Sequence, residues 1–178
     1  YARYQLDGGT RNLVLVGHGP LEQQIRADCD ELIHPSAVEL LPFTQLEKLA
    51  TYYRKACALI LPSNKDTWGL VVNEAMASGL PVIVSSACGC VDDLIQHGVS
   101  GWSFPPDDIL ELVRCLKQVE ALTPEQRMCM TDNARSRLIN FSPESFAEGL
   151  QNACNYALEY RKHSFRSMFF AHLLNLGN

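Results

Sequence analysis

Two carboxylates, Asp66 and Glu74, bracket a stretch in which a polar loop runs into an apolar helix. Residues 61–85 read LPSNKDTWGLVVNEAMASGLPVIVS. Leu61-Pro62 closes an apolar run, and Ser63, Asn64, Lys65, Asp66 and Thr67 form the loop. Trp68-Gly69-Leu70 then enters a helix, whose first backbone N–H groups have no intrahelical partner. Such a helix start attracts anions, aided by the helix dipole. Gly69, lacking a side chain, admits a ligand close to the backbone. Glu74 falls about one turn into the helix, among Val71, Val72, Ala75 and Met76. A carboxylate at that depth can accept hydrogen bonds from sugar hydroxyls while the helix start holds phosphate.

The elements around this segment alternate. Apolar runs at 12–16, 38–41, 56–61, 81–85 and 101–104 have the length and composition of strands, the first fit for burial on both faces. Helical spacing is expected over 21–33, with Leu21, Ile25, Leu32 and Ile33 on one face, over 44–53, and over 70–78, which stops at Gly79. Thr44 followed by Glu47 has the pattern of a capping box. Shorter or later helices are expected at 91–96, 107–119, 124–138 and from 143 to about 161. Tyr1-Ala2-Arg3-Tyr4 reads as the end of an amphipathic helix, as though sequence preceded it. Strands alternating with helices imply right-handed crossovers and one doubly wound, Rossmann-like parallel sheet with helices on both faces. Ligands of such sheets bind beyond the carboxyl ends of the strands. That rule selects four loops, at 17–20, 42–44, 62–69 and 85–91.

Composition narrows the function. The formal net charge of −5 disfavours a nucleic-acid partner, which needs a basic face. The seven cysteines are scattered, with no C-x-x-C pair and no zinc-type spacing. We read them as reduced thiols of a cytoplasmic protein and expect no bound metal. Cys88-Gly89-Cys90 reads as loop packing near a site. No apolar run approaches the ~20 residues of a membrane span. His18 and Lys65 read as solvated, as does the basic group Arg161, Lys162, His163 and Arg166, with peripheral contact at the inner face of a membrane the lesser reading.

With these residues in view, the segment resembles the signature of glycosyltransferase family 4, the retaining transferases of the GT-B fold. That family carries a Glu, seven intervening residues and a second Glu, followed by Ala-Met-Ala, Gly and Pro-Val. Glu74-Ala75-Met76-Ala77-Ser78-Gly79-Leu80-Pro81-Val82 matches at each of these positions, whereas Asp66 stands where the first Glu is usual. Residues 14–21 (VLVGHGPL) and 38–43 (VELLPF) resemble the family's preceding units. Gly89-Cys90-Val91-Asp92-Asp93 resembles its Gly-Gly-x-x-Glu loop, with Cys90 for the second Gly and Asp93 for the acid. The likeness covers roughly residues 11–120.

The resemblance implies the C-terminal half of a GT-B enzyme: one nucleotide-sugar-binding domain over 1–178, with 143–178 its C-terminal helical segment. It implies hexosyl transfer from a UDP- or GDP-sugar with retention, in polysaccharide or glycolipid synthesis, with no cofactor. Asp66 would orient the donor sugar and Glu74 would bind the ribose. The backbone of Trp68, Gly69 and Leu70 would hold sugar and phosphate, with Ser63 and Thr67 beside them. Gly17, Gly19, Pro42 and Phe43 would lie near phosphate and base. The family's Arg/Lys loop and its N-terminal acceptor domain would precede Tyr1. A sugar-nucleotide epimerase of the same fold, against which the Glu74-Ala75-Met76-Ala77 context argues, and a non-catalytic nucleotide-sugar-binding module, kept open by the Asp at position 66 and the missing upstream half, are the alternatives.

Overall fold

The computed structural model describes residues 1–32 and 37–174, and at 31, 32, 46, 47 and 161–174 the backbone alone. The expected roles of Leu32 and Ile33, the Glu47 half of the capping box and the basic group at 161–166 lie outside the described residues. The chain forms two compact units, Tyr1–Leu138 and Ile139–Asn178.

The first unit alternates as the pattern requires. It runs α1 (Ala2–Leu6), β1 (Leu13–Val16), α2 (Glu22–Leu32), β2 (Val38–Leu41), α3 (Leu46–Lys55) and β3 (Leu59–Leu61). It continues with α4 (Leu70–Ala77), β4 (Val82–Ser85), α5 (Val91–Leu94), β5 (Trp102–Phe104), α6 (Ile109–Glu120) and α7 (Pro124–Leu138). Every pairing between these strands is parallel, and the sheet is divided: β1 pairs with β2, and β3, β4 and β5 pair in that order.

Side-chain alternation on β3 and β4 shows why helices cover both faces. Leu59, Leu61, Val82 and Val84 point into a core with Val72, Ala75 and Met76 of α4 and Tyr53 of α3. Ile60 and Ile83, one position out of phase, enter a second core with Trp102, Phe104, and Cys115 and Val119 of α6. Helix α7 contributes to both, through Ala134 and Met130. The central strand β4 is buried along its whole length, each aliphatic side chain contributing about 1.5–3 kcal/mol. Strand β1, paired on one side only, leaves Val14 and Val16 about two-fifths exposed, so the burial expected for it on both faces is not realised.

Boundaries at α3, at β3 and in the second unit differ from the pattern reading in ways that have a physical cause or a large extent. The N-cap of α3 is Gln45 with no side-chain cap, and the Thr44 hydroxyl instead donates to the Pro42 carbonyl at 2.9 Å. Ala56 ends α3, its N–H bonded to the Tyr52 carbonyl, which shortens β3 to three residues. In the second unit α8 spans Pro143–Leu174, longer than expected, and follows a 3-10 turn at Ile139–Phe141. The Ser142 hydroxyl caps α8 by accepting from the Ser145 N–H at 3.1 Å. No described helix is long and apolar enough to cross a membrane.

Candidate functional site

Neighbouring parallel strands deliver their carboxyl-end loops side by side, and β3 and β4 do so here. The two loops are zipped together. Asp66 N–H donates to the Ala87 carbonyl at 3.2 Å, Gly89 N–H to the Asp66 carbonyl at 3.0 Å, and Cys90 N–H to the Trp68 carbonyl at 3.1 Å. Residue 89 must be glycine for this approach. A Cβ there would overlap the Thr67 carbonyl oxygen and sit 3.0 Å from its carbon.

Within the first loop Asp66 has a structural task as well as a charge. Its Oδ1 accepts the Trp68 N–H at 3.0 Å, so that N–H is not available to a ligand in the way the sequence reading expected. The Trp68 ring is tied by Nε1 to the Asn73 Oδ1 at 2.9 Å. Gly69 caps α4 with φ of 92°, a left-handed conformation in which a Cβ would lie 2.8 Å from the Leu61 side chain. Among the described residues no acceptor lies against the N–H groups of Gly69 and Leu70, and these two remain at the helix start. Ser63 is half-buried and Thr67 and Lys65 are exposed on the same loop.

Glu74 sits half-buried one turn into α4, and its Oε2 accepts the hydroxyl of Tyr53 at 3.1 Å. Tyr53 is buried on α3, and its phenol is pushed well above the usual tyrosine range by burial, then by the Glu74 charge and their hydrogen bond. The sequence reading did not single out Tyr53. The spacing of apolar residues along α3 was the available signal, but the partner lies 21 positions away. Beneath the loops, burial and the Asp66 charge push the Cys88 thiol up, against a hydrogen bond from Ser63. Cys90 is pushed up to about 11 by burial first.

A second loop group follows β1 and β2. Gly17 N–H donates to the Leu41 carbonyl at 3.0 Å, joining the turn of residues 17–20 to the end of β2. Space around Gly17 and Gly19 is open, His18 and Pro42 are exposed, and Phe43 presents 70% of its surface. The structure thus brings Gly17 and Gly19 near Pro42 and Phe43, and brings Ser63, Asp66, Thr67, Trp68, Gly69, Leu70 and Glu74 together. Among the described residues no hydrogen bond joins the two groups. Asp93 is exposed on α5, and its carbonyl accepts Arg137 Nη1 at 3.1 Å. All seven cysteines are unpaired, and the described residues contain no group of three or more His, Cys, Asp or Glu able to hold a metal.

The arrangement offers a carboxylate with one oxygen fixed, a second acid in a constrained loop, and a bare helix start. Residues 4–137 match the model of the glycosyl transferases group 1. The amylovoran biosynthesis glycosyltransferase AmsK of Erwinia amylovora is 35% identical over 115 residues, 61% of this chain and 28% of the relative. Sucrose-phosphate synthase of Thermosynechococcus elongatus is similar in structure with a TM-score of 0.74 and 27% identity, over 90% of this chain and 41% of that one. Anabaena HepE in complex with UDP-glucose superposes with a TM-score of 0.71 and 21% identity, over 85% of this chain and 43% of that one. The α/β architecture is that of these GT-B neighbours. The chain spans between 20% and 39% of the length of the curated relatives it matches.

Proposed function

The chain belongs to the glycosyl transferases group 1 family, and from that premise we propose that it is the donor-binding half of a retaining hexosyltransferase of glycosyltransferase family 4. Its substrate is a UDP- or GDP-sugar, and its product enters polysaccharide or glycolipid synthesis. The observation that carries the reading is the bare start of α4 with Glu74 one turn below it, its Oε2 held by Tyr53. The roles are assigned accordingly. Glu74 accepts hydrogen bonds from the donor ribose, and Asp66 orients sugar hydroxyls with the carboxylate oxygen that Trp68 does not use. The N–H groups of Gly69 and Leu70 face the diphosphate, where they and the helix dipole stabilise the charge that develops as it departs. Gly17, Gly19, Pro42 and Phe43 flank phosphate and base. Retention rests on the likeness of residues 66–82 to the family signature. The names of the relatives support the rest: AmsK serves amylovoran biosynthesis, and HepE binds UDP-glucose. We place acceptor binding and the diphosphate-clamping cations outside these 178 residues, in keeping with the greater length of the relatives.

Isothermal titration of the chain with UDP, GDP and their sugars tests this. Saturable binding weaker than about micromolar, near −8 kcal/mol, is expected, since the helix start and Glu74 act without a cationic loop. Absence of binding to both bases up to the millimolar range would refute the reading.

A further inference from the structure

We propose that Tyr53 is a positioning residue of the donor site: its hydroxyl, carried on α3, fixes the Glu74 carboxylate so that Oε1 points free to receive the donor's ribose hydroxyls. The proposal rests on the function assigned above and extends it to a residue on a different helix.

A glutamate has three side-chain torsions, and ordering it on binding costs affinity. Here one of its two oxygens is already occupied. Tyr53 is 7% exposed and packs in the core with Val72, Ala75 and Met76 of α4, so its ring is set by the same contacts that hold α4. From that fixed ring the hydroxyl donates to Glu74 Oε2 at 3.1 Å. Among the described residues Oε1 takes no hydrogen bond, so one half of the carboxylate is fixed and the other is free. Phenylalanine would fill the same apolar space, so the packing alone does not call for the hydroxyl. The hydroxyl stays protonated across the physiological range, because burial and the adjacent charge resist its ionisation, and it therefore acts as a permanent donor. Helix α3 follows the loop at Pro42 and Phe43, so a single element connects the other loop group to the setting of Glu74.

The test is a double-mutant cycle on the chain, read by titration with UDP, with urea midpoints and near-ultraviolet dichroism reporting the fold of each variant. Tyr53→Phe is expected to weaken UDP binding about three- to tenfold, the scale of one hydrogen bond. In the Glu74→Ala background the same substitution is expected to change binding less than twofold, because there is no carboxylate left to position. Equal weakening in both backgrounds would assign Tyr53 to the fold alone and overturn the proposal, as would unchanged binding by Tyr53→Phe in the parent. If UDP binds the parent and Glu74→Ala binds equally well, the role of Glu74 fails, and Tyr53 with it. If the parent does not bind UDP or GDP, the functional reading itself fails. Should Tyr53→Phe not fold, Tyr53→Met takes its place in both arms of the cycle: it too removes the hydroxyl while filling apolar space, and the same two outcomes support or overturn the proposal.

Discussion

Substituting Gly89 by alanine tests whether the zipped loops build the site. An added Cβ would overlap the Thr67 carbonyl oxygen, with its carbon at 3.0 Å and the Trp68 nitrogen at 3.6 Å. These are backbone atoms, which cannot rotate away as a flexible side chain would. The loops must therefore part, which endangers the three hydrogen bonds of Asp66, Gly89 and Cys90 across them. Each contributes about 0.5–1.5 kcal/mol, and overpacking at a tight contact costs about 1–3 kcal/mol. We expect Gly89→Ala to destabilise the chain by about 2–4 kcal/mol, a fall of roughly 4–16 °C in Tm for a domain of this size. Binding of UDP should fall with it even well below the transition, since Asp66 and the start of α4 sit on the displaced loop. Urea unfolding and calorimetric titration measure the two effects. A loss under about 0.5 kcal/mol with parental affinity would show that the loops yield freely, and that their contact does not shape the site.

Glu74→Ala should weaken use of the donor about 10- to 150-fold, the cost of one charge-assisted hydrogen bond of roughly 1.5–3 kcal/mol, measured as initial rate at limiting donor in the enzyme containing this chain. Asp66→Asn should cripple transfer, whereas Asp66→Glu should stay within about tenfold of the parent; activity of Asp66→Asn equal to the parent would show that the acid is dispensable. The buried thiols predict an alkaline limit to stability. Cys90 and Cys115 are both raised to about 11, chiefly by burial, so between about pH 9 and 11 the unfolded chain releases protons that the folded chain keeps. Stability should be level below pH 9 as far as these groups act, then fall by about 1.4 kcal/mol per pH unit for each thiol, and Cys115→Ala should lessen that slope in urea midpoints taken from pH 8 to 11.

Much of the framework was legible because its signals are local. The run Val38–Leu41 that became β2 and the helix at Pro124–Leu138 were bounded correctly by composition and by proline. Glu74 stood out as a charge among apolar neighbours, and Gly69 as a residue without a side chain at the helix start, whereas its left-handed conformation appears only in the structure. What was not legible depends on contacts distant in sequence. The hydrogen bond of Tyr53 to Glu74, the parallel pairing of Asp66 with Cys88 and the occupation of the Trp68 N–H by Asp66 arise only when the strands are in register. The exposure of Val14 and Val16 likewise follows from how many neighbours β1 has, which its own residues do not encode. The Thr44 cap failed because α3 begins one residue later, with Gln45 at its N-cap, and the Thr44 hydroxyl donates to the Pro42 carbonyl.

Hydrogen–deuterium exchange on the chain, with and without millimolar UDP-glucose, tests the central claim most directly. The account predicts slowed exchange of the Gly69 and Leu70 amides and of those at 17–19 and 43–44, with little change across α6 and α7. Protection confined to other surfaces, or none at ligand concentrations that saturate the calorimetric signal, would contradict the placement of the donor at the start of α4.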